Sequence, residues 1–364
     1  MKTRRSPVLE LSGDGRSRGR SHAAPGAGDN EAVRQAIRGR LRDATDLLSQ
    51  PDARQYLRDV TAYTREVAPQ SYGEVEGIAE GYGLGFDEVF AFLHLSILAD
   101  RAAAGPVPAD QDGCSAWAAR GPDGAAWVGK NRDFRGEHRA IQRLFLHQDP
   151  QWGGRRLLCV GSLGAPAAYS SGINSDGLAL ADTAIPTTDH GVGLNRYFLM
   201  TEILARCATV GEAVAYIGSI DHAGGGSLVL GDAQGDRAAV EIGHRALGVE
   251  RGVDDAPVSR TNHFVGDALR DANLMRPGEP MIGSSTGRLA TLRAALAGLP
   301  EVSVLGWTAA TMASHDDGAV TGLCRHGQDG DSTTLSTALF ATADLSLYFC
   351  EGNPCRGEWS YSTL

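Results

Sequence analysis

The hydrophobic period of the chain changes at Cys114, and that change limits the fold more than any other feature. Upstream, "DNEAVRQAIRGRLRDATDLLSQ" carries Val33, Ile37, Leu41, Ala44 and Leu48 at intervals of three and four. That spacing marks one apolar helix face, capped by Asp29 or Asn30. "SYGEVEGIAEGYG" and "GFDEVFAFLHLSILAD" read as two more helices, the second capped near Asp87. The Gly-rich "SGDGRSRGRSHAAPGAGDN" reads as irregular, and "AAAGPVPADQDG" as a loop that ends at Cys114. Downstream, "CSAWAAR" and "AAWVGKNRDF" alternate as two strands around Gly121-Pro122-Asp123-Gly124, a stretch with turn chemistry.

The pattern repeats. "AAYSSGI" and "LALADTAI" flank an Asn-Ser-Asp-Gly turn, and "GSLVLGDAQGDRAAVEIGHRALGVERG" and "STTLSTALFATADLSLYFCEG" add further strands. Helices intervene at "NRYFLMTEILARCATVGEAVAYIGSI" and "STGRLATLRAALAGL". Antiparallel hairpins with grouped helices predict an α+β fold in which two sheets stack and helices cover them. The expected division is a helical segment over 1–113 and a sandwich over 114–364, together one domain.

The formal net charge of −10 has no long like-charge block. Binding nucleic acid needs clustered Lys and Arg, so nucleic acid is not an expected partner. No apolar run reaches the ~18 residues of a membrane span. The N-terminus lacks an apolar signal core, which predicts a cytoplasmic protein. Six cysteines are scattered through the chain. A chain of this size outside an oxidising compartment needs no disulfides, so five read as free, small hydrophobes.

Cys114 is different. With two or four residues in the Gly121–Gly124 loop, Cys114 falls opposite Asn131, and Asp133 shares its face one diagonal on. Lys130 and Arg132 then point the other way. An odd loop or a bulge would change this register. A thiol reacts as its thiolate and needs a base, yet no histidine is near in sequence. A cut between Gly113 and Cys114 would supply one. The new α-amine, with a pKa of roughly 7.7–8.0, could take the thiol proton while Asp133 holds the ammonium. Glycine at position 113 suits the backbone geometry of such a cut.

The ordered set "DGCSAW", "GKNRDF", "GINSDGLAL", "RTNHF" and "GLCRHG" resembles the N-terminal nucleophile hydrolases. The nearest branch is the peptidase family of acyl-coenzyme A:6-aminopenicillanate acyltransferase, and the choloylglycine hydrolases are more distant. The resemblance implies a four-layer αββα sandwich, self-cleavage before Cys114 and no cofactor. It implies Cys114 as nucleophile, Asp133 as the carboxylate that orients the new amine, and Asn262 as donor to the oxyanion, where a preorganised dipole is most effective. It points to a small amide, thioester or peptide-like substrate, possible secondary metabolism, and two cleaved chains that stay associated. Lys130, Asn131, Asp182 and Thr183 are the expected substrate-binding set. Lys130 stands where choloylglycine hydrolases commonly have Arg, and Asp182 and Thr183 where they often have Asn. Asp331 stands near the place of a functional arginine in the penicillin acyltransferase, which argues against a penicillin substrate.

Two rival readings remain. "GSSTG" fits the nucleophile-elbow pattern around Ser285, with Asp316 or Asp331 and His326 as partners. Its preceding "MRPGEPMI" is a poor strand, so Ser284 and Ser285 read instead as helix caps. The second rival is a binding protein that kept the scaffold without catalysis. "CRH" at 324–326 and "SHDD" at 314–317 hold metal-ligand types without zinc-site spacing, so no metal site is expected. His263 reads as structural.

Overall fold

The computed structural model describes residues 4–103, 113–299, 303–318, 320–327 and 332–364. Its central hairpin pairs Ser115–Arg120 with Ala126–Arg135. Arg120 faces Ala126, and Gly121 donates its N–H to the Ala125 carbonyl at 2.7 Å. The loop is therefore Pro122-Asp123-Gly124, three residues long, and Gly124 takes the left-handed conformation with φ of 83°. Three-residue hairpins commonly place glycine at this position. The odd loop shifts the expected register by one: Ser115, not Cys114, faces Asn131. Cys114 aligns with Arg132 and shares the face of Lys130 and Arg132. Asn131 and Asp133 lie on the opposite face. The expected grouping of Cys114 with Asp133 on one face is thus corrected.

The hairpin lies in a seven-stranded sheet. Its order is Arg4–Arg5, Trp359–Thr363, Ser346–Glu351, Ser332–Ala341, Ala126–Arg135, Ser115–Arg120 and Val258–Arg260. The second sheet has eight strands, ordered Leu247–Arg251, Arg237–Ile242, Gly226–Gly231, Ala179–Ala184, Ser171–Asn174, Arg156–Ser162, Gln142–Gln148 and Leu9–Ser12. Among the described residues, the strand pairings within the two sheets are antiparallel except the two made by the N-terminal strands, one at the edge of each sheet.

Alternation along the strands builds three apolar layers. Ala116, Ala118, Val128, Val160, Ile173 and Phe340 pack between the sheets. Phe145, Leu157, Leu180 and Leu230 face outward from the second sheet onto a helical layer that includes Val33, Ile78, Leu98 and Phe198. Trp117 and Leu339 face outward from the first sheet onto the helices Pro280–Leu296 and Val304–Met312, through Leu292, Leu296 and Met312. The architecture is an αββα sandwich.

The N-terminal part is not wholly helical, since it gives an edge strand to each sheet. Its Gly-rich stretch is irregular mainly after residue 21. Gly15–Ser21 is a helix, capped by Asp14, whose carboxylate accepts the Ser17 N–H at 2.8 Å. Glycine is a poor helix former. Here tertiary packing decides: a Cβ on Gly15, Gly19 or Gly77 would overlap backbone atoms across the contact between this helix and Pro69–Tyr82. Arg18, buried in that contact, pairs with Asp149 and with Glu74. Among the described residues, no single helix is long and apolar enough to cross a membrane.

Candidate active site

Cys114 is buried at the start of the central hairpin, and its thiol donates to the Asp133 carbonyl at 3.7 Å. The flanking backbone is held by a residue that is 174 positions away. Arg288 Nη1 donates to the Gly113 carbonyl at 2.6 Å, to the Cys114 carbonyl at 2.7 Å and to Ser115 Oγ at 3.0 Å. Its Nη2 donates to Asn262 Oδ1 at 2.9 Å. Arg288 projects from the helix Pro280–Leu296, which is anchored on the sheet by Leu292 and Leu296. Burial lowers the Arg288 pKa to about 10, with Asp133 acting in the opposite sense. The guanidinium still carries its charge at neutral pH.

Asp133 is fully buried beside this cation. A bulge in the neighbouring strand between Thr334 and Ser336 sits beside it, and bulges re-aim side chains next to a site. Thr334 donates its hydroxyl to Asp133 Oδ1 at 2.7 Å. Oδ2 has no hydrogen-bond partner among the described residues. Burial pushes the Asp133 carboxyl above its ordinary range, against the pull of Arg288 and Arg325. A buried carboxylate oxygen lacking a donor is costly, and a cationic donor beside it would relieve that cost.

Asn262 is buried, and Nδ2 donates to the Ala184 carbonyl at 2.8 Å. One of its two amide hydrogens is thereby left for a further acceptor. On the Cys114 face, Lys130 donates to Asp182 and also to the Ser170 carbonyl, at 3.3 Å. Arg196 Nε donates to Asp182 at 2.6 Å. Burial alone would raise the Asp182 pKa, but Lys130 and Arg196 hold it below the ordinary value. Lys130, Arg132, Asp182 and Arg196 line a narrow pocket at Cys114 with Tyr169 and Tyr197. Phe134, Tyr169, Ala184 and Tyr197 also line an adjoining, larger cavity. The walls of that cavity are largely apolar, with Phe92, Leu95, Ile97, Ile185 and Met281.

A sequence profile described as "Acyl-coenzyme A:6-aminopenicillanic acid acyl-transferase" matches residues 119–356. The chain belongs to this acyl-transferase family. The match includes Lys130, Asp133, Asn262 and Arg288, and begins five residues after Cys114. No curated protein sequence matches significantly. Among solved structures, the chain is similar to a variant of conjugated bile acid hydrolase from Clostridium perfringens. That pair has 14% identity and a TM-score of 0.43, over 69% of this chain and 97% of the other. It is also similar to penicillin V acylase from Agrobacterium tumefaciens, with 14% identity and a TM-score of 0.38, over 65% and 83%.

Within this family member the expected site residues divide. Cys114, Asp133 and Asn262 converge on Arg288, and Lys130 and Asp182 line the pocket. Asn131 and Thr183 do not. Asn131 donates to the Met312 and Leu323 carbonyls, both at 2.9 Å, beneath the outer helices. Thr183 bonds the Thr261 carbonyl at 2.6 Å and Ser227 Oγ at 2.7 Å. Neither is a pocket-lining group, because each sits one step of strand alternation away from one. Asp331 lies outside the described residues. The sequence reading does not single out Arg288 and Arg196, since each sits in a helix that carries no local motif pointing to Cys114.

The nucleophile-elbow reading of Ser285 fails on geometry. "GSSTG" lies within the helix Pro280–Leu296, whose cap is Glu279, so Ser284 and Ser285 are not caps either. Ser285 Oγ accepts the Asn262 N–H at 2.8 Å and sits 2.8 Å from His263 Nδ1. It therefore braces Asn262. Burial lowers the His263 pKa to about 4, in keeping with a structural histidine. His326 joins a different group: "CRH" and "SHDD" lack zinc-site spacing, but the fold brings His326, Cys324 and His315 together with Cys355.

Proposed function

We propose that this chain is a self-processing cysteine amidohydrolase or acyltransferase with Cys114 as nucleophile. The observation that carries the reading is the grip of Arg288 on the carbonyls on both sides of the buried thiol. In the uncut chain, the Cys114 thiol adds to the Gly113 carbonyl carbon. Arg288 stabilises the oxyanion that forms, as an oriented cation does in a water-poor site. The Gly113–Cys114 C–N bond breaks, and the thiol proton ends on the departing nitrogen. This leaves Gly113 as a thioester on Cys114. Water hydrolyses the thioester to a Gly113 carboxylate and a free thiol.

The new α-ammonium then has a partner in the unbonded oxygen of Asp133. In its neutral form, the amine takes the thiol proton and the thiolate attacks a substrate carbonyl. Asn262 donates to the oxyanion, and the ammonium returns the proton to the leaving group. The acyl group then passes from Cys114 to water or to an amine. The apolar cavity beside the pocket suits an acyl group with an apolar body, carried on a small amide or thioester. Such a substrate fits secondary metabolism. The Lys130–Asp182–Arg196 set offers fixed charges for its polar end.

Intact-mass measurement of the purified protein tests the proposal. Wild-type protein is expected as two associated pieces, 1–113 and 114–364, and Cys114→Ala as one chain. Active wild-type protein that stays uncut would overturn the N-terminal amine mechanism. An uncut chain that turns over no amide or thioester would favour a binding protein on this scaffold.

A further inference from the structure

Four side chains from three stretches of sequence meet at the surface: His315, Cys324, His326 and Cys355. Each offers one ligand atom, and these atoms lie within 4.8 Å of one another. Cys324 Sγ and Cys355 Sγ are 3.7 Å apart. His326 Nε2 is 3.6 Å from the first sulfur and 3.3 Å from the second. His315 Nε2 is 3.1 Å from His326 Nε2. A tetrahedral zinc ion, with bonds of about 2.3 Å to sulfur and about 2.0 Å to nitrogen, sets ligand edges of about 3.8 Å for S–S, about 3.5 Å for S–N and about 3.3 Å for N–N. The four measured separations follow those edges. We propose that these residues form a Cys2His2 site for a borderline-soft divalent cation of the zinc class. Among the described residues no carboxylate belongs to the cluster, so a hard cation such as Mg2+ or Ca2+ is disfavoured.

The surrounding backbone is built to hold the four together. Cys324 N–H donates to the Ser314 carbonyl at 2.9 Å, and Gly322 N–H donates to Asp316 Oδ1 at 2.6 Å. These bonds tie the His315 loop to the Cys324 loop. The two backbones pass so closely that a Cβ on Gly322 would overlap His315. A turn closed by Arg356 N–H on the Asn353 carbonyl, at 3.0 Å, presents Cys355. Asn353 Nδ2 donates to the Arg325 carbonyl at 2.6 Å and lies 3.8 Å from Cys324 Sγ, as an outer partner of a thiolate would.

The position gives the site a structural consequence. Cys324 and His326 flank Arg325. The Arg325 N–H donates at 2.9 Å to Thr334 Oγ1, the same hydroxyl that donates to Asp133. A Cβ on Gly113 would overlap the Arg325 guanidinium. The cation thus clamps the loop that carries Arg325 to the Gly113–Cys114 junction. This assignment does not depend on the role of Cys114.

The test is a Co2+ titration of the full chain, reduced and freed of metal by a chelator. The expected result is one Co2+ per chain, with the intense visible bands of tetrahedral cobalt and thiolate-to-cobalt charge transfer in the near ultraviolet. One equivalent of Zn2+ should abolish both signals. Cys355→Ser and His326→Ala should each weaken binding by about 100-fold or more, whereas Cys114→Ala should bind as wild type does. Octahedral cobalt bands, a spectrum that persists in Cys355→Ser, or a reduced wild-type chain that binds no metal would each overturn the proposal. A Cys324–Cys355 disulfide recovered from a chain whose reduced form ignores Co2+ would do the same.

Discussion

Arg288 and Gly113 meet through a 2.6 Å hydrogen bond between a fully buried guanidinium and the carbonyl before the candidate nucleophile. One side chain thereby connects Gly113, Cys114, Ser115 and Asn262. A planar fork can serve several acceptors at once, which a lysine ammonium cannot do in the same geometry. Arg288→Lys is expected to keep the charge and lose the alignment. Self-cleavage followed by intact mass should slow by roughly 100-fold, the scale for losing an oxyanion donor. Wild-type cleavage in Arg288→Lys would remove Arg288 from the reaction.

Asp133 makes a prediction about stability and pH. Burial raises its folded pKa above the ordinary value of 3.8. Between these two values the folded chain holds a proton that the unfolded chain has lost. Stability from this group is therefore full below 3.8 and falls as pH rises through the folded pKa. In the uncut Cys114→Ala background, Asp133→Asn should flatten that fall in denaturant unfolding across pH. An unchanged slope would show that another group causes it. In the otherwise wild-type chain, Asp133→Asn should also impair cleavage.

Asn262 should report on the transition state alone. Asn262→Ala is expected to lower kcat by roughly 100-fold with KM near wild type, measured on processed, folded protein. A raised KM with kcat spared would make Asn262 a substrate-binding residue.

Ser285→Ala should separate support from catalysis. It removes the acceptor of the Asn262 N–H and a partner of His263. Thermal or denaturant unfolding should register a loss of about 1–3 kcal/mol. Most activity per folded molecule should remain, in contrast to Cys114→Ala. Inactive but folded Ser285→Ala protein would revive a serine mechanism.

The strands were legible because alternation is local, and the Pro122-Asp123 turn is marked by its own residues. The parity of that turn was not. Gly124 accepts φ of 83°, so two, three and four loop residues were all open, and one residue decides which face Asp133 occupies. Arg288 left no local mark, because no motif surrounds it and its partners near Cys114 lie 173 to 175 positions away in the chain. The helix Gly15–Ser21 was hidden for a related reason. Its glycines lower intrinsic helix propensity but permit a backbone contact that only the folded pair provides. Cys355 likewise reaches His315 through the turn and strand pairing of the last hairpin, with no motif between them.

The edge strands Arg4–Arg5 and Leu9–Ser12 hydrogen-bond into opposite sheets, and the helices that follow them share the largest apolar layer. A scission at Gly113 would therefore yield no removable leader. It would turn one chain into two that must fold together, with their interface running through the helical apolar layer. Refolding of the cut form would then require two chains to meet. The midpoint of the cut form should rise with concentration, while that of Cys114→Ala should stay fixed. Dilution after denaturation would separate the partners and divide the helical apolar layer between them.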